Sequence, residues 1–137
     1  MALPLGTLFT VLAIAAGAQN SVDHFERKVR PVLASHCYAC HSKSVATPQG
    51  GLLLDSTQGI RKGGNSGPAI QPGDPDTSLL IRALRHTDKK LKMPPGEPLS
   101  SEVVADFELW IRDGASLPDD RTVRHQQPSR SRGRPLI

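Results

Sequence analysis

Apolar positions fall at helical spacing in three stretches of this 137-residue chain and lose their period between them. Val22, Phe25, Val29, Val32 and Leu33 form the first stripe and predict a helix over 21–34. Ser21 stands at an N-cap position, and Asp23 and Glu26 follow where the helix dipole favours anions. Pro31 has no amide proton and should kink or restart that helix. Leu79, Leu80, Ala83 and Leu84 predict a short second helix, capped by Asp76 or Thr77 and ending at Leu84 or Arg85. Val103, Val104, Phe107, Trp110 and Ile111 are the buried stripe of a last helix over 100–113, with Ser100 as cap and Gly114 as stop. Residues 50–75 are rich in Gly and Pro and read as a loop, with one short extended piece at 52–54.

Upstream of the first stripe, residues 8–16 are an apolar run too short for a comfortable membrane span. Ala16-Gly17-Ala18 then supplies the small-x-small pattern of a signal cleavage site, so residues 1–18 read as a secretory signal and Gln19 as the mature start. The segment before the run carries no Lys or Arg, which leaves an uncleaved N-terminal anchor as the alternative. Beyond the last helix, residues 119–137 have no apolar period and are expected to be disordered.

Charge changes this picture little once the tail is set apart. The chain carries a formal +4 and a pI near 9.4. Five of its seventeen basic residues, Arg121, Arg124, Arg130, Arg132 and Arg134, lie in the tail, and the remaining twelve meet thirteen acidic ones. The body is near neutral, its basic residues are scattered, and nucleic-acid binding is not indicated. Only 37% of residues are hydrophobic and 4% aromatic, a thin supply for a core of this length. A buried cofactor would supply the missing apolar bulk.

The candidate chemistry is Cys37-Tyr38-Ala39-Cys40-His41. Two thiols three residues apart, followed at once by an imidazole, are the pattern of covalent c-type haem attachment. On a helical turn, positions i and i+3 share a side, so both sulfurs can reach one porphyrin edge and form thioethers to its vinyl groups. His41 then follows beneath the macrocycle as the proximal iron ligand. Three other readings compete. A structural zinc site usually takes four protein ligands, and the chain has no second Cys pair, although His24, His36 and His86 could contribute. A redox dithiol wants a βαβ context that is not visible. An inert local disulfide is the third.

The run from Phe25 through R-P-V-L-A-S-H-C-Y-A-C-H to His41 resembles the planctomycete-type cytochrome c domain. The likeness continues in G-G-L-L-L-D-S (50–56), K-G-G-N-S-G-P-A-I-Q-P-G-D-P (62–75), S-L-L-I-R-A-L (78–84), K-M-P-P (92–95) and the segment through Trp110, Ile111, Gly114 and Ala115. It covers roughly 22–118, and several motifs stand in the family's order.

The resemblance implies an all-α, cytochrome c-like fold: three to four short helices around one covalent haem c, with long Gly/Pro-rich loops. It implies a domain over 19–118 between the signal and the tail. It implies an exported, periplasmic mono-haem electron carrier rather than an enzyme, monomeric, with redox protein partners and with membrane contact only if the signal is uncleaved. Met93 becomes the second axial ligand, a thioether that raises the potential, with His86 as runner-up. Pro68 becomes the carbonyl that holds the other ring nitrogen of His41. Phe25 is expected to meet Phe107 or Trp110 where the first and last helices cross, and Trp110 is read as core. Lys89, Lys90 and Lys92 can form a positive rim that steers acidic partners. The rival functions are a haem enzyme or gas-binding protein with an open iron position, and a haem-free zinc module. Domains of this family generally open a longer chain, whereas this sequence runs to Ile137.

Overall fold

A computed structural model describes residues 9–119, with side chains from residue 17 onward. The start of the predicted signal (1–8) and the tail from 120 on, with its five arginines, lie outside the described residues. Among those described, the regular structure is helical, with two isolated bridges and no strand, as the all-α reading expects.

The first helical body is longer than the apolar stripe predicts. Helix α1 (Phe9–His24) runs through the expected cleavage junction without a break. A single π-helical turn (Phe25–Val29) follows, and α2 (Arg30–His36) continues from it. The turn sits where Pro31 acts: Pro31 cannot donate to the carbonyl four residues back and its ring crowds that carbonyl, so the helix widens just before it. Arg30 N–H reaches back five residues to the Phe25 carbonyl. The expected restart is thus a widened turn within a continuous helix. Ser21 is a correction: it lies inside α1, is 2% exposed, and its hydroxyl has no hydrogen-bond partner. The apolar run upstream carries the helix past it, so no N-cap forms there.

The region read as a single loop contains a helix, α3 (Thr57–Lys62). Ser56 caps it, its hydroxyl accepting from Gly59 N–H at 3.0 Å. Residues 52–54 enter no strand. Helix α4 (Leu79–Leu84) matches its stripe, but Ser78 holds the cap position without a side-chain cap bond. Its buried hydroxyl instead joins Gln71 and Asp74, donating to the Asp74 carbonyl at 2.8 Å. Helix α5 (Ser101–Arg112) has the expected cap, Val103 N–H donating to the Ser100 hydroxyl at 3.3 Å.

One core joins these pieces. Phe25, Val29 and Leu33 pack with Ile81, Leu84, Phe107, Trp110 and Ile111, all nearly fully buried. Phe25 meets Trp110 with ring centroids 5.0 Å apart, tilted by 37°, which is the expected crossing of first and last helices. Trp110 Nε1–H donates to the Ser116 carbonyl at 2.9 Å, so its one polar atom is satisfied within the core. His24 adds a second tie, its ring Nε2 lying 2.8 Å from the Asp106 carbonyl. These contacts fix the helical body just ahead of α2, which carries the chain into its cysteines.

Candidate functional site

Helix α2 ends by passing directly into a tight turn. Cys37 N–H donates to the Leu33 carbonyl at 2.9 Å, and the Cys37 carbonyl then accepts from Cys40 N–H at 3.1 Å and His41 N–H at 2.9 Å. That double acceptance closes one helical turn over 37–41, so Cys37 and Cys40 share a side. Both thiols are free and half-buried. The chain then folds back on the turn. Gln49 N–H donates to the Cys40 carbonyl at 3.0 Å and Leu54 N–H to the His41 carbonyl at 2.8 Å. The motif is therefore held on both sides by backbone bonds.

Cys37, Cys40, His41 and Met93 all line one hollow of about 240 Å³. Its walls are apolar, from Leu52, Leu54, Leu79, Leu80, Leu84 and Leu91, with Pro94 and Pro95 beside Met93. Larger clefts of about 690 and 490 Å³ exist, but no Cys, His or Met lines them. The hollow is smaller than the roughly 300–1,000 Å³ usual for ligand pockets. A flat macrocycle seated there would keep an edge exposed or would press the surrounding loops outward. His36 also lines the hollow, although its place before the motif pointed away from it.

The His41 ring is oriented by a backbone group. Its Nδ1 lies 3.3 Å from the Leu52 carbonyl. A carbonyl only accepts, so Nδ1 carries the proton in this bond and Nε2 keeps its lone pair for a metal. This corrects the expectation for Pro68. Pro68 is exposed and absent from the hollow's lining, while its backbone lies against Gly63. The bridge between Gly64 and Gly67 turns the chain there, with Gly64 N–H on the Gly67 carbonyl at 3.1 Å. The 50–52 segment takes the place beside the imidazole instead. A backbone carbonyl has no residue-type signature, so only the G-G-L-L-L-D motif hinted at this segment.

Met93 is half-buried, and its backbone is anchored at both ends. Met93 N–H donates to the Ala83 carbonyl at 3.0 Å, and the His86 ring Nε2 lies 3.1 Å from the Met93 carbonyl. His86, the runner-up ligand, is not among the residues lining the hollow. Lys89, Lys90 and Lys92 are all exposed next to Met93.

Electrostatics weigh on the competing readings. Burial, reinforced by the neighbouring Cys40, pushes the Cys37 thiol from 9.0 up to about 11. A dithiol redox catalyst needs the opposite, a thiolate stabilised near neutral pH. Among the described residues, no three His, Cys, Asp or Glu side chains gather closely enough to hold a metal ion by themselves. What the site offers is two alkylatable thiols, an oriented imidazole and a thioether around one apolar hollow. That donor set fits a haem attached through sulfur and bound through nitrogen and sulfur.

No curated protein and no solved structure matches the chain. Residues 37–97 match the model of the planctomycete cytochrome c family, a span that opens on the first cysteine of the motif and includes Met93. Residues 37–97 are thus similar to the planctomycete cytochrome c domain, a family that binds haem and is typically an electron carrier.

Proposed function

We propose that this chain is an exported, monomeric, mono-haem c-type cytochrome that moves single electrons between redox proteins. The observation that carries the reading is the convergence of Cys37, Cys40, His41 and Met93 on one apolar hollow. In this reading Cys37 and Cys40 hold the group covalently, and His41 Nε2 and Met93 Sδ bind its metal. Haem c, when bound there, supplies a one-electron ferric/ferrous couple. The protein's own part is to hold and insulate. The Leu52 carbonyl fixes the imidazole tautomer and raises its basicity. Leucines exclude water from the hollow. The thioether favours the reduced state. With His41 and Met93 both holding the metal, no iron position would remain for a substrate, and the chain would act as a carrier rather than an enzyme.

The proposal extends to the setting. Haem of this type is attached outside the cytoplasm, which agrees with residues 1–18 acting as a secretory signal and the domain occupying 19–118. Among the described residues, no helix is long and apolar enough to cross a membrane. Lys89, Lys90 and Lys92 form a positive rim beside Met93 that steers acidic partners at low ionic strength.

The test is the far-red sulfur-to-ferric-iron absorption band. It should be present in protein matured in a haem-attaching host and absent in Met93→Ala. A band that survives the substitution refutes Met93 ligation. An open-iron spectrum in the unaltered protein would favour the gas-binding or enzymatic alternative.

A further inference from the structure

The Met93 loop leaves α4 through a backbone conformation that side chains rarely adopt. His86 has φ +55°, in the left-handed region, and it carries a β-carbon. A glycine would be the unstrained choice. The residue present instead sends its ring seven positions along the chain, where Nε2 lies 3.1 Å from the Met93 carbonyl. Since a carbonyl only accepts, the ring donates. On the other side of the same residue, Met93 N–H donates to the Ala83 carbonyl at 3.0 Å. The segment between is also closed on itself: Asp88 and Leu91 form an isolated bridge, and Asp88 Oδ1 accepts from Lys90 N–H at 2.9 Å. The end of α4 therefore holds the Met93 backbone by both its N–H and its C=O.

We propose that His86 is a positioning residue, a latch whose ring hydrogen bond to the Met93 carbonyl holds that thioether toward the hollow. The proposal rests on Met93 being a haem ligand, as proposed above. It gives His86 a task other than ligation. Its ring is occupied at the Met93 backbone, and it stiffens the loop so that the sulfur does not have to be ordered when it binds. Without the latch, the loop opens more often and the sixth position is more easily taken by an external ligand. One hydrogen bond of ordinary net strength shifts such an opening equilibrium about two- to tenfold.

The test compares His86→Ala with His86→Gln in the full chain as purified from a haem-attaching host. Both substitutions place a β-carbon at the same left-handed position, but only Gln retains a donor long enough to reach the carbonyl. The first readout is amide hydrogen exchange at Met93, measured in the ferrous form. The second is the affinity of the ferric form for added imidazole. His86→Ala should speed Met93 exchange and tighten imidazole binding by about two- to tenfold, and His86→Gln should stay near the unaltered protein. Equal behaviour of Ala and the unaltered protein overturns the latch, and so does a Gln variant as loose as Ala. A six-coordinate spectrum that persists in Met93→Ala and is lost only when His86 is replaced as well makes His86 a ligand and also overturns it. Failure of the underlying reading is distinguishable: a chain without haem, or without the far-red band, ends Met93 ligation, whereas the exchange comparison reads the latch separately.

Discussion

Gly64→Ala sets two effects of opposite sign against each other. At a backbone conformation open to any residue, Gly→Ala removes freedom from the unfolded chain and stabilises by about 0.4–1 kcal/mol. Gly64 has no positive φ, so that gain should be available. A β-carbon there, however, would lie 2.5 Å from the Gly50 carbonyl oxygen and 3.2 Å from Leu52 Cβ. Both are inside the 3.5–4.0 Å at which carbon contacts are most favourable. The nearer atom is backbone, and it already accepts from Asn65 N–H at 2.8 Å, so it cannot swing aside as a side chain would. Overpacking of this kind costs about 1–3 kcal/mol. The net expectation is destabilisation of roughly 1–2 kcal/mol, a drop of several degrees in Tm for a domain of this size. The consequence for the site follows from the same displacement. Pushing 50–52 outward pulls the Leu52 carbonyl from His41 Nδ1, leaves a less basic imidazole, and should raise the reduction potential. The hydrogen bond's worth of about 0.5–1.5 kcal/mol bounds the rise at tens of millivolts. Chemical denaturation and redox titration of the same sample measure both. A stabilised Gly64→Ala with unchanged potential would refute the packing of the two segments and the role given to Leu52.

Three other perturbations have clear signs. Ser21→Ala should be neutral or stabilising by up to about 1 kcal/mol, because it removes a buried hydroxyl without a partner; an N-cap would lose about 0.5–2 kcal/mol, so denaturation midpoints distinguish the two placements. Trp110→Phe keeps a ring against Phe25 but strands the Ser116 carbonyl, and should cost about 1–3 kcal/mol; a neutral result would show that the indole bond contributes nothing. In the chain before haem attachment, folding holds the Cys37 thiol protonated up to about 11 against an ordinary 9.0. Its contribution to stability is therefore complete below pH 9 and is lost as the pH rises toward 11. Urea midpoints at pH 8 and 11 should show this loss, and Cys37→Ala should reduce it; equal losses would contradict the burial of that thiol.

Side chains with strong local chemistry made parts of this molecule legible in the sequence. The turn over 37–41 follows from Cys-x-x-Cys-His spacing, and α5 follows from the cap at Ser100 and the stripe from Val103 to Ile111. The crossing of Phe25 with the last helix was implied by the family resemblance, which left Phe107 and Trp110 open as partners; the contact is with Trp110. Elements that depend on backbone were harder to read. Helix α3 is only six residues long and contains Gly59, where a β-carbon would meet the Leu53 carbonyl at 2.7 Å, so close packing rather than propensity dictates the residue. The glycines on either side gave that helix the composition of a loop. The acceptor for His41 is the carbonyl of Leu52, and a main-chain oxygen is present at every position. Pro68 drew attention because it is chemically distinctive, yet it lies on the surface. His86 was weighed as a ligand because histidines bind iron, whereas its ring goes to the Met93 backbone, a choice set by a positive φ that the sequence does not advertise.

The central claim is a single haem joined to this chain through two sulfurs. Mass spectrometry of the denatured protein from an exporting, haem-attaching host, paired with a pyridine haemochrome spectrum, tests it most directly. The account predicts one haem that stays with the polypeptide through denaturation, on a chain beginning at Gln19, with attachment abolished in the Cys37→Ala, Cys40→Ala double variant. Colourless protein, or haem that dissociates when the fold is lost, would contradict it.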